Sequence, residues 1–192
     1  LDVYNALSLT TIQQKFAFNR ILGYWLGNGS LNSSQGIITL PLSKQVNGDY
    51  LATLLSDVGL TKEDFTQDSL CYSITKPSWV TLFYTHWGIK YTTTELCKLD
   101  FTFNPAPLAD VTIEKWMPSW FLSYNMTEAR EILFGLNLAN DAEITPDVEL
   151  NNHTGSFITT SHFFRDQCLL LALHAGYSSS FSRRQSSDDK LN

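Results

Sequence analysis

The chain is poor in positive charge. Its 192 residues carry 13 Lys and Arg against 19 Asp and Glu, for a formal net charge of −6. Neutralisation of phosphates supplies most non-specific affinity for nucleic acid, so this balance counts against a strong, charge-driven binder. One basic face can still coexist with an acidic back. Cysteine is scarce and odd in number: Cys71, Cys97 and Cys168 lie far apart and form no CxxC or Cys/His cluster. No zinc motif follows, and reduced, mostly buried thiols of an intracellular protein are expected, with nucleus and cytoplasm not distinguished. His86, His153, His162 and His174 show no metal-ligand spacing. No apolar run approaches the roughly 18–20 residues of a membrane span, and the first residues lack the basic flank and apolar core of a signal peptide. Leu1 stands where an initiator Met would, from which we expect an excised or internal fragment.

Apolar and aromatic residues are plentiful, and the length is enough for one domain or two fused half-domains. The most informative pattern is a short segment that occurs twice. Leu22-Gly23-Tyr24-Trp25-Leu26-Gly27-Asn28-Gly29 ends one apolar stretch, and Leu133-Phe134-Gly135-Leu136-Asn137-Leu138-Ala139-Asn140-Asp141 ends another. Each holds a Gly, a small residue four positions later (Gly27, Ala139) and then an Asn. Residues i and i+4 share one helix face, and two small residues there let another helix approach closely. Two such helices side by side would bring Asn28 and Asn140 together at a seam.

Periodicity and breakers place the remaining elements. A helix is predicted over residues 9–27, capped by Thr10 or Thr11. Residues 28–34 read as a break. Strands are expected over 37–42 and 71–74, with Pro41 marking an edge or bulge. Short helices follow over 50–58 and 78–87, then an alternating aromatic and β-branched run over 91–103. In the second part, a helix starts near Thr127 as N-cap and runs to Ala139. A strand is expected over 155–160, a helix over 161–175 with Ser161 as N-cap and Gly176 as its stop, and a final strand over 177–181. Residues 183–192 form a polar tail. Trp25, Trp79, Trp87, Trp116 and Trp120 are assigned to packing, and His174 to a structural role.

This doubled arrangement resembles the LAGLIDADG homing endonucleases, in particular those inserted within inteins. Three further features carry the resemblance. Lys115-Trp116-Met117-Pro118 precedes the second motif, as a Lys-x-x-Pro segment does in that family. Residues 158–177 resemble its strand followed by a leucine-rich helix ending in Ala175-Gly176. Residues 51–60 look like the matching helix of the first half. The resemblance implies an α+β fold of two pseudo-symmetric αββαββα halves, 1–108 and 109–182, whose two sheets form a saddle on DNA with the motif helices at its centre.

It also implies a function and a site. The residue before each final motif Gly is an acid that binds Mg²⁺ for double-strand cleavage. Here both positions are Asn, and Asp141 replaces the second Gly. The implied catalytic set is Asn28, Asn140 and Lys115, with Asn28, Asn140 and, weakly, Asp141 as metal positions. An amide keeps the shape of a carboxylate and loses its charge, so weak Mg²⁺ binding and little cleavage are expected. DNA contacts fall by location to Lys44, Lys76, Lys90, Lys98, Arg183 and Arg184, with solvated surface charge as the bland role for each. The implied partners are double-stranded DNA and an intein splicing domain in cis. A monomer is expected, with no membrane association. Two alternatives stand beside this one: an active enzyme using Asp141 or Glu143, and a non-enzymatic module that stabilises an intein.

Overall fold

The computed structural model describes residues 2–32, 35–42, 48–87, 115–140, 157, 159 and 161–182. Among them the fold is α+β, with six α-helices and a four-stranded antiparallel sheet. A short helix α1 (Asp2–Ala6) leads into α2 (Ile12–Asn28), then strands β1 (Ser30–Asn32) and β2 (Ile37–Pro41). Helix α3 (Gly48–Asp57), strands β3 (Phe65–Gln67) and β4 (Cys71–Ile74), and α4 (Pro77–Trp87) follow. A 3-10 turn (Ser119–Ser123) precedes α5 (Met126–Ala139), and α6 (His162–His174) is the last helix. From α2 to α4 the order is helix, strand, strand, helix, strand, strand, helix.

Helix α2 starts three residues later than its periodicity predicts, because Thr11 makes a capping box: its side chain accepts from the Gln14 N–H at 3.1 Å while Gln14 Oε1 accepts from the Thr11 N–H, also at 3.1 Å. The start of α5 is a correction. Asn125, not Thr127, is the N-cap, in a second capping box with Glu128. The amide oxygen of Asn125 reaches the Glu128 N–H at 2.9 Å and leaves Thr127 inside the first turn. Helix α6 begins at Ser161 as predicted and stops at Gly176, whose φ of +81° suits glycine.

The sheet order is β1-β2-β4-β3. Alternation fixes its buried face: Leu31, Ile38, Leu40, Tyr72 and Ile74 point one way into the core. Helices α2 and α4 pack on this face. Trp79, Phe83 and Trp87 recur at i+4 along α4 and meet Phe18 and Trp25 of α2 in edge-on and tilted contacts of 4.9–5.6 Å. The tryptophans assigned to packing at 25, 79 and 87 are fully buried.

Four elements depart from the pattern reading. Pro41 ends an inner strand, not an edge. Strand β1 reaches only to Thr39 of β2, so the missing Pro41 N–H faces no neighbour from that side. β1 and β3 lack a strand pattern in the sequence, because Ser30, Asn32 and Gln67 resemble loop residues. Residues 177–181 form no strand. The run over 91–103, the expected strand over 155–160 except Phe157 and Thr159, and the tail 183–192 lie outside the described residues.

The centre of the fold is the pair α2 and α5, which pack along nearly their whole lengths. A Cβ on Gly23 would lie 2.0 Å from the Ile132 carbonyl oxygen, and one on Gly135 would lie 2.0 Å from that of Arg20. A Cβ on Gly27 would lie 2.4 Å from Ala139 Cβ. The contacts are reciprocal: Gly23 meets Ile132, Gly135 meets Arg20, and Gly27 meets Ala139 one turn further on. The two helices therefore run parallel and end together.

The likeness extends to the next helices. Beyond α3, the N–H groups of Val58, Gly59 and Leu60 bond to the carbonyls of Leu54, Ser56 and Leu55. Beyond α6, those of Ala175, Gly176 and Tyr177 bond to Leu171, Leu173 and Ala172 in the same pattern. Gly59 and Gly176 share φ values of +79° and +81°.

Candidate functional site

The site is the shared C-terminal end of α2 and α5. Asn28 is the last residue of α2 and is exposed; Asn140 caps α5 and is also exposed. Each stands one residue beyond the Gly27–Ala139 approach, so the structure brings the two motif ends to one place.

Carbonyls left unpaired at a helix end attract donors and positive charge. At the end of α2, the Trp25 carbonyl accepts the Gly29 N–H at 2.7 Å and the Lys115 Nζ at 2.7 Å. The same ammonium lies 5.2 Å from the centre of the Trp25 ring. At the end of α5, Asn140 serves its own helix. Its Nδ2 donates to the Leu136 carbonyl at 2.8 Å and its N–H to Asn137 at 3.1 Å. Of the three residues named as catalytic by resemblance, two form the helix tips and the third reaches the tip of α2.

Lys115 is held from both sides. The Trp87 indole donates to the Trp116 carbonyl at 2.6 Å. Gln167 of α6 accepts from the Met117 N–H and donates to its carbonyl, both at 2.8 Å, as a neighbouring strand would. Gln167 carries no sequence signal, since a single amide on an amphipathic helix reads as surface. Burial pushes the Lys115 ammonium down to about 8. Among the described residues Lys115 pairs with no carboxylate.

The donors present do not match the anionic oxygen set that Mg²⁺ prefers. Both tips are neutral amides, and one has turned its N–H₂ onto its own helix. A cation already stands at the end of α2. No group of three or more His, Cys, Asp or Glu side chains gathers among the described residues. Asp141 and Glu143 lie outside the described residues.

Of the six basic residues placed on DNA by location, only Lys76 is described. It forms an ion pair with Asp64 at 3.3 Å. Lys44, Lys90, Lys98, Arg183 and Arg184 lie outside the described residues. The sheet face opposite the core carries a cross-strand row of hydroxyls: Ser30 opposite Thr39, Thr39 opposite Ser73, and Ser73 opposite Thr66. None of the four strands contains Lys or Arg.

Besides Gln167, two further buried polar groups lie outside the sequence-based expectations. Asn19 and Glu131, both fully buried, occupy matching positions on α2 and α5. Glu131 forms an ion pair with Arg20 across the helix seam, and Arg20 also donates to the Tyr50 hydroxyl at 3.0 Å. Asn19 donates to the Tyr4 hydroxyl at 3.0 Å, which donates to Glu128 at 3.1 Å. Their signal was present: each interrupts an apolar helix face. Comparison with protein-family models, with curated proteins and with solved structures finds no match to this chain.

Proposed function

We propose that this chain is the scaffold of an intein-type LAGLIDADG endonuclease that holds double-stranded DNA and has lost efficient metal-dependent cutting. One observation carries the proposal: two parallel helices packed glycine to backbone in reciprocal contacts, with the matched residues Asn28 and Asn140 at their common end. The αββαββα order from α2 to α4 agrees with one half of that fold. The equivalent endings of α3 and α6 agree with a second half built on the same plan. On this reading the sheet rests on DNA through its hydroxyl-bearing face, and a second sheet completes the saddle.

In the active form of such an enzyme, carboxylates at both tips hold Mg²⁺, which activates water and stabilises the leaving oxygen. Here the chain's own residues retain the framework alone. Gly23, Gly27 and Gly135 keep the tips together, and Gln167 and Trp87 hold the Lys115 segment beside them.

The test is Mg²⁺-dependent cleavage of a randomised duplex library by the chain and by the Asn28→Asp/Asn140→Asp variant. Cutting by the variant alone is the expected result. Cutting by neither, with no duplex retained on the protein, rejects the proposal. A second reading, a non-enzymatic module, is favoured by the absence of Lys and Arg from the four strands among the described residues and by the net charge of −6. It predicts no salt-sensitive DNA binding at all.

A further inference from the structure

We propose that the helix tips form a donor-filled, metal-free centre in which the Lys115 ammonium supplies the positive charge that the end of α2 attracts. The inference rests on reading the two tips as former metal-binding ends. It goes further in assigning what now satisfies them.

The geometry is specific. A parallel helix pair places two negative dipole ends at one point, each equivalent to roughly half an elementary charge. In most helices such ends face water or a glycine cap. Here the Trp25 carbonyl, already bonded to Gly29 N–H, takes a second bond from Lys115 Nζ at 2.7 Å. The Trp25 ring lies beneath the same ammonium at 5.2 Å, adding the attraction of its π face. The other tip is closed by Asn140, whose Nδ2 takes the Leu136 carbonyl at 2.8 Å. An Asp at position 140 cannot make that bond, because both carboxylate oxygens are acceptors. Asn at this position is thus more than a carboxylate that lost its charge: it donates where an acid would repel.

Among the described residues, a divalent ion brought to these tips meets neutral amides and a fixed cation. Burial makes the Lys115 charge costly to hold; among the described residues no carboxylate shares it, and the groups it meets are the Trp25 carbonyl and indole face. Lys115 is therefore a positioning residue in place of an ion. Met117, clamped by Gln167, sets its height relative to α2.

The experiment follows Mn²⁺ through its free-ion electron paramagnetic resonance signal. Four proteins are compared: the chain itself, Lys115→Gln, Asn28→Asp/Asn140→Asp, and the triple variant combining all three changes. Gln keeps a donor for the Trp25 carbonyl and removes the charge. The chain and Lys115→Gln are expected to leave the signal unchanged. The triple variant is expected to bind Mn²⁺ about tenfold tighter than the double, since one buried like charge has been removed. Equal affinity in the double and triple variants overturns the proposal, as does Mn²⁺ binding by the unaltered chain. Thermal melting supplies a reading independent of metal: Lys115→Met lowers the Tm more than Lys115→Gln, and an unchanged Tm in Lys115→Met also overturns it. Neither readout involves DNA, so a failure to cut or bind DNA rejects the endonuclease reading without touching this result.

Discussion

Gly23 and Gly135 meet the opposite helix in the same way: each abuts a backbone carbonyl three residues before the other glycine, Ile132 for Gly23 and Arg20 for Gly135. No side chain fits at either position. The helix pair is consequently held by backbone proximity, and its register is defined by where the glycines fall.

Gly23→Ala and Gly135→Ala should each cost about 2–3 kcal/mol, because a Cβ 2.0 Å from a backbone oxygen forces the helices apart. Gly59→Ala is the contrast. Its φ of +79° strains any L side chain, but nothing lies within 4 Å of the new methyl, so a loss of about 1 kcal/mol is expected. Urea denaturation of the three variants measures the difference. Equal losses contradict the close-packing account.

Arg20→Ala should destabilise by about 3 kcal/mol, because Glu131 is fully buried and its other carboxylate oxygen has no partner among the described residues. The double change Arg20→Met/Glu131→Leu should recover most of that loss, since apolar side chains of similar volume need no compensating charge. A double variant as unstable as Arg20→Ala alone contradicts this.

Asn140→Asp should lower stability by about 1 kcal/mol near neutral pH. It loses the bond to the Leu136 carbonyl and places a negative charge at a helix C-terminus. The loss should shrink below about pH 4, where the new carboxyl is protonated and can donate again. Denaturant melts at two pH values test both statements.

Lys115 makes stability depend on alkaline pH. Its folded-state value of about 8 lies below the ordinary lysine value of 10.5 because burial disfavours the charged form. Between those values the unfolded chain binds more protons than the folded one, so stability contributed at this residue rises as pH increases from about 8 to 10.5. Lys115→Gln should abolish that rise. A pH–stability curve for both proteins measures it.

Much of the fold was legible because it obeys local rules. The periodicity of Phe16, Leu22 and Trp25 marks α2, and Ser161 with Gly176 brackets α6, since capping and left-handed glycine are decided within a few residues. The alternation at Cys71-Tyr72-Ser73-Ile74 delimits β4 to the residue. β1 and β3 were hidden because three residues carry too little pattern, and they exist only by pairing with β2 and β4. Residues 177–181 have β-like character without a neighbouring edge among the described residues, and no strand forms. Asn125 outcompeted Thr127 as cap because Glu128 stands three residues after it, the spacing that completes the box.

At the candidate site, the two small-residue motifs could be found from sequence alone, because spacing along a helix specifies which residues share a face; the Lys115 segment, which is not helical, is marked only by the family resemblance. The motif spacing determined which faces were able to meet. What only the tertiary structure decided is how the tips are satisfied: Lys115 on the Trp25 carbonyl, Asn140 on Leu136, and Gln167 behind Met117. The Lys115 and Gln167 bonds join residues from separate elements, and no local periodicity encodes them, whereas Asn140 closes its own helix on the carbonyl four residues back. The bonds at the tips form because the carbonyls at a helix end accept donors wherever the packing brings one within reach.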